Sequence, residues 1–180
     1  MDDLSLWCTS ALATIDRALN FDSFWAARCH QLRGRAPKTG VHLAVLVEPF
    51  LGYVLDGSKT IESRFAIRRL APYGHVHAGD VVLLKAASGP VAGICAVEET
   101  WFFQLNCERV ASIRKEFGKA MRADTPAFWE QRKAAAFASL MRVGKVRALP
   151  KPMACPKRDR RGWVVLRPGS QEHSLESVAA

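Results

Sequence analysis

The first stretch of the chain repeats its apolar positions at helical spacing. Trp7, Ala11, Ile15 and Leu19 lie four apart, with Cys8 and Leu12 on the adjoining row, so one stripe of a predicted helix is apolar. Asn20 to Ser23 supplies a stop and a new N-cap ahead of a second helix carrying Phe24, Trp25, Cys29 and Leu32. Residues 34–40, Gly-Arg-Ala-Pro-Lys-Thr-Gly, read as a loop by composition. Two short amphipathic helices do not stand alone in water, so they are expected to pack on the rest of the chain or on a partner chain.

From Val41 the period changes. Residues 42–47 form a strand candidate, and Pro49 and Gly57 bracket a short helix over 49–56. Residues 60–65 alternate as a strand, and 81–85 and 90–103 make a strand pair joined through Ser88-Gly89-Pro90. Asn106 caps a helix running to Phe117, and Thr125-Pro126 opens another through Phe137. Strands return at 140–149 and 162–166. Strands with short helices between them predict an α+β mixed β-barrel with short flanking helices and an N-terminal helical extension, rather than a doubly wound sheet. The expected divisions are a helical extension and linker at 1–40, a barrel domain at 41–167, and a tail at 168–180.

With 180 residues, 49% hydrophobic and 24% charged, the chain can build one real core and shows no sign of wholesale disorder. No apolar run is long enough to span a bilayer, and the acidic start Met1-Asp2-Asp3 has no apolar h-region after it, so a soluble, cytoplasmic protein is expected. The five cysteines (Cys8, Cys29, Cys95, Cys107 and Cys155) are scattered and form no C-x-x-C pair, which predicts free thiols and no metal site. The formal charge of +9 is unevenly placed: residues 142–167 hold nine Lys/Arg against Asp159 alone. Such a stripe suits a polyanion, although it also serves solubility.

The stretch richest in chemistry is Gly57-Ser58-Lys59-Thr60-Ile61-Glu62-Ser63-Arg64. Strand alternation puts Thr60, Glu62 and Arg64 on one side and Ile61, Ser63 and Phe65 on the other. Lys59 follows a glycine-led turn able to aim its ammonium into a cleft, and Tyr53 lies on the flank of the preceding helix. Lys59 and Arg64 suit phosphate oxygens, and Tyr53 or Tyr73 suits an unpaired base. His75 and His77 are candidate proton carriers, though loop histidines more often have no such role. Glu62 and Arg64 also admit a purely bracing ion pair, and Trp129 and Trp163 fall in apolar periodic segments that suit a core.

The spacing G-x-K-x-x-E-x-R resembles the signature of ASCH domains, relatives of the PUA domains of RNA-modifying proteins. The likeness continues through residues 75–80 with Gly79-Asp80 at a turn tip, Ser88 to Gly93 as a hairpin, Phe128-Trp129 in a late helix, and Arg161 to Leu166 as a final strand. It covers roughly residues 41–167. The resemblance implies a PUA-like barrel with an RNA-binding cleft. Some stand-alone members are ribonucleases with a Tyr and the signature Lys at the cleft, which here correspond to Tyr53 and Lys59. Another branch hydrolyses N4-acetylcytidine using a Thr three positions after that Lys, where this chain has Glu62.

The expectation is therefore a protein that binds single-stranded RNA in a basic cleft, with metal-independent ribonuclease activity left open. Lys59, Tyr53 and Glu62 are the candidate catalytic residues. Lys59, Arg64, Tyr53, Arg158, Arg160 and Arg161 are the candidate RNA contacts. No metal or other cofactor is expected. The alternatives are an N4-acetylcytidine-type amidohydrolase, or a non-catalytic module that binds a modified nucleoside or a protein, with self-association or a protein partner at the N-terminal helices.

Overall fold

Two long strands, β4 (Val91–Gln104) and β5 (Phe137–Met153), form the spine of a curled sheet in the computed structural model, which describes residues 3–34 and 38–169. Ahead of them run α1 (Asp3–Ala18), α2 (Ser23–Leu32), β1 (Val41–Leu46), α3 (Phe50–Leu55), β2 (Ile61–Ala66) and β3 (Val81–Ala86). Between β4 and β5 lie α4 (Cys107–Phe117) and α5 (Pro126–Glu130), and β6 (Trp163–Arg167) closes the order. The six strands are arranged β2-β5-β4-β3-β1-β6. Among the described residues only β1 and β3 run parallel, with Val41 opposite Val81 and Leu46 opposite Ala86; the other pairs are antiparallel. This is the expected α+β fold with short flanking helices, its mixed sheet curled into a half-barrel.

Strand alternation sorts the side chains. Val41 and Leu43 of β1 and Val81 and Leu83 of β3 face α1 and α2, joining Leu12, Ile15, Leu19, Trp25 and Leu32 in one core. The intervening Ala44, Leu46, Val82 and Leu84 pack with Leu51 and Val54 of α3. A third cluster joins Ile61 and Leu140 to Ile113, Phe117, Met121 and Phe128 around α4 and α5. The helical extension thus covers one face of the sheet. Trp25 Nε1 also donates to the Lys145 carbonyl at 2.8 Å, and Asp22, the N-cap of α2, pairs with Arg147 at 2.7 Å.

The late helix is shorter than its sequence suggests. Residues 134–136 are alanines, strong helix formers, yet α5 stops at Glu130 and β5 begins at Phe137. Ala136 N donates to Ala66 O and Leu105 N to Ala136 O, both at 2.9 Å, so pairing on both sides pulls the segment into the sheet. Residues 35–37 of the linker and 170–180 of the tail lie outside the described residues. Among the described residues, no helix is long and apolar enough to cross a membrane.

Candidate functional site

Backbone bonds at the end of α3 set the position of Lys59. Asp56 N and Gly57 N close the helix on Gly52 O and Val54 O, and Gly57 turns the chain at φ +79°, a left-handed conformation that costs glycine little. Asp56 then accepts from Ser58 N at 2.8 Å, and Lys59 N donates to Tyr53 O at 2.7 Å. The Lys59 side chain is turned inward and only 3% exposed, with Nζ donating to Ile61 O and sitting 2.9 Å from Glu62 Oε2.

Glu62 lies between two cations, because its Oε1 is 2.9 Å from Arg64 Nε. Burial alone would raise its carboxyl pKa, but the charges of Lys59 and Arg64 and the bonds they make outweigh that and hold it below the ordinary glutamate value. Arg64 also reaches across to the opposite edge of the sheet. Nη2 donates to Val45 O of β1 and Nη1 to Gly162 O before β6, each at 3.0 Å. Among the described residues no strand ladder joins β2 to β6. Arg64 therefore bridges the open seam of the half-barrel.

A cavity of about 260 Å³ opens along this seam. Lys59, Glu62, Arg64 and Arg132 supply its charge, while Phe50, Phe65 and Phe128 supply aromatic wall. Arg132 had no distinctive sequence signal; it arrives on the turn after α5. Its Nη1 donates to Phe128 O at 2.7 Å, and its guanidinium lies 3.7 Å from the Phe128 ring centre. Burial, offset by Glu62 and reinforced by Arg64, pulls its pKa below the usual arginine value. It stays charged at neutral pH. Lys59 and Arg64 are largely committed to Glu62 and to backbone carbonyls, so Arg132 has the most donors left for a ligand.

Beneath the seam runs a buried polar line that the sequence pattern did not disclose. Trp163 Nε1 donates to His42 Nδ1 at 3.3 Å, and His42 Nε2 lies 3.0 Å from Asp80 Oδ2. An indole N–H can only donate, so Nδ1 must accept and the Nε2 proton must point to Asp80. Asp80 also accepts from Gly40 N at 2.6 Å and His77 N at 2.8 Å. Burial pushes its carboxyl pKa up, but these bonds outweigh it and leave the group below its ordinary value. The Trp163 ring centre is 5.4 Å from the Arg64 guanidinium carbon, so this line supports the bridge from below.

The other expected residues are spread out. Tyr53 is tied to Lys59 through the backbone but does not line the cavity; its ring lies 4.9 Å from the Arg122 guanidinium and edge-on to Phe50. Arg158, Arg160 and Arg161 are exposed on the loop that runs into Gly162 at the seam. Asp159 accepts from Lys157 and Arg161, bonds that hold its carboxyl well below the usual range. Arg158 and Arg160 make no ion pair among the described residues. His75 and His77 lie away from the cavity, Trp163 is buried, and Trp129 is half-buried with Nε1 donating to Ala123 O. All five cysteines are free, and no group of metal-ligating side chains occurs among the described residues.

A curled mixed sheet with short helices on its flanks is an ASCH-like architecture, and the chain has that fold. It is similar to the crystal structure of ASCH from Zymomonas mobilis with a TM-score of 0.57 at 14% identity, over 71% of this chain and 87% of that one. Two mutant forms of the Zymomonas mobilis protein superpose with TM-scores of 0.50 and 0.51 at 15% identity, each over 63% of this chain and covering 75% and 73% of theirs. No family model matches the sequence, and no curated protein does.

Proposed function

We propose that this chain binds single-stranded RNA along the seam, as a module that grips rather than cleaves. The observation carrying this reading is the cavity itself, where the half-buried Arg132 and the buried Lys59 face aromatic walls. Single-stranded RNA is held by just this pairing of cations for phosphate and aromatic faces for bases. Arg158, Arg160 and Arg161, on the loop entering the same seam, extend the positive surface along which a strand can run. Tyr53 contributes by holding the Lys59 backbone.

Binding is favoured over catalysis by the state of Glu62. A general base works best with a pKa near the operating pH, whereas Glu62 is held below even its ordinary value. The N4-acetylcytidine reading is weakened further because Glu62 stands three after Lys59, where that chemistry wants a Thr, and Thr60 is only one position after it. Self-association through the helices is a lesser part of the proposal. Their apolar stripes are already used on the sheet, and a partner would have to meet Leu6 and Phe21, which are 58% and 73% exposed.

The test incubates the folded protein and Lys59→Ala with labelled single-stranded RNA in EDTA. Retention that weakens with salt, with the RNA intact, is the expected result. Cleavage by the parent that disappears in the variant would replace this reading with a ribonuclease. RNA neither retained nor cut at low salt would remove RNA from the account.

A further inference from the structure

A second hollow of about 220 Å³ lies on the other side of Arg64. Its walls include Tyr73, Phe137, Trp163, Leu70 and Ser139, and it shares Arg64 and Phe65 with the first cavity. Each hollow is smaller than the roughly 300–1,000 Å³ of pockets that enclose a drug-sized ligand. Neither encloses a whole nucleotide, and side by side they suit successive parts of one chain.

The two compartments differ in chemistry. The first carries Lys59, Glu62 and Arg132, groups that meet phosphate and sugar. In the second, no acidic residue among the described residues lines the wall and aromatic rings dominate, with the Ser139 hydroxyl as a small polar handle. Its lip is the segment Ile67-Arg68-Arg69-Leu70, exposed throughout. Ile67 is 69% and Leu70 63% exposed, a large apolar surface to leave in water beside a pocket. Arg69 lies 5.2 Å from the Phe137 ring centre and 5.8 Å from that of Tyr73, so a cation borders the aromatic floor.

We propose that this second hollow is a base-binding subsite for the nucleotide adjoining the one in the Lys59–Arg132 cavity. The minimal ligand is then a strand of two nucleotides whose backbone crosses the Arg64 bridge, not a free nucleoside. The proposal rests on the single-stranded RNA reading above. It adds to that reading a length requirement and a second base contact.

The experiment measures fluorescence anisotropy of the full chain with three labelled probes: a uridine mononucleotide, a diuridine nucleotide, and a dinucleotide of equal charge whose second position is abasic. The diuridine probe is expected to bind about tenfold more tightly than the abasic one, the scale of one stacked base. Leu70→Asp, at an exposed position, is expected to erase that difference between the two equally charged dinucleotides. Equal binding of the abasic and complete dinucleotides overturns the subsite while leaving RNA binding intact. Parent-like discrimination by Leu70→Asp overturns it equally. Failure of all three probes and of a long oligouridine strand at low salt removes the RNA reading, and the subsite with it.

Discussion

Replacing Glu62 with glutamine separates the charge of the buried triad from its shape. Each ion pair, at 2.9 Å, represents about 6 kcal/mol of attraction at an effective dielectric constant near 20, offset by several kcal/mol of desolvation per ion. Removing one partner of a buried pair commonly costs about 3–5 kcal/mol, since the cations remain in place without their counter-charge. For a chain of this size, that lowers the melting temperature by roughly 6–20 °C. The assay is urea and thermal unfolding of both proteins between pH 3 and pH 8, with equal m-values required for the comparison. Because the folded pKa of Glu62 is depressed, its stabilisation is fully present above the unfolded value and is lost as pH falls through the folded value. The gap between parent and Glu62→Gln is therefore expected to be constant from pH 6 to pH 8 and to narrow below about pH 4. The same substitution frees Lys59 for phosphate, so binding of oligouridine is expected to strengthen and the log–log salt slope to steepen by about 0.7 for one added contact. Melting within about 1 °C of the parent at pH 7 would refute the triad as a stabilising unit. Weaker RNA binding by a folded variant would show that Lys59 does not reach the ligand.

Asp80→Ala leaves Gly40 N, His77 N and His42 Nε2 without their shared acceptor and is expected to cost roughly 3 kcal/mol or more in urea unfolding, while Asp80→Asn, which keeps one acceptor, costs less. Gly57→Ala meets no neighbouring atom but forces an alanine to φ +79°, and about 1–2 kcal/mol of lost stability is expected by the same assay. Cys8, Cys29 and Cys95 are buried, with thiol pKa values pushed up, to about 11 for Cys29, whereas Cys107 is exposed. One thiol is expected to react quickly with a disulfide reagent in the native protein, and Cys107→Ser is expected to remove that fast phase.

What the sequence makes legible is what repeats locally. The stripe of α1, the cap before Phe24, the turn at Gly57 and the alternation of β1, β2 and β3 all depend on residues close in the chain. The signature brings Lys59, Glu62 and Arg64 together because they lie within one turn and one strand. Arg132 is different: 68 residues after Arg64 in the chain, it reaches the same cavity only when α5 packs on β2. The Asp80–His42–Trp163 line likewise joins a turn, β1 and β6, and no spacing announces it. The run of alanines at 134–136 misleads for the opposite reason, since helix propensity there yields to sheet pairing on both sides. The loop at 34–40 reads as a boundary, but a composition break carries no information about which hydrophobic face the preceding helices will cover.

Most barrels close by a ladder of backbone bonds, whose spacing is fixed near 4.8 Å whatever the side chains. Here, among the described residues, the Arg64 guanidinium bridges the gap by side-chain hydrogen bonds where no ladder does. A lysine at position 64 would keep the charge but could not imitate the planar fork that meets Glu62, Val45 O and Gly162 O at once. Aperture thus becomes a heritable quantity that one codon can alter, independently of the strands on either side. Relatives that differ there should differ first in the width of that opening.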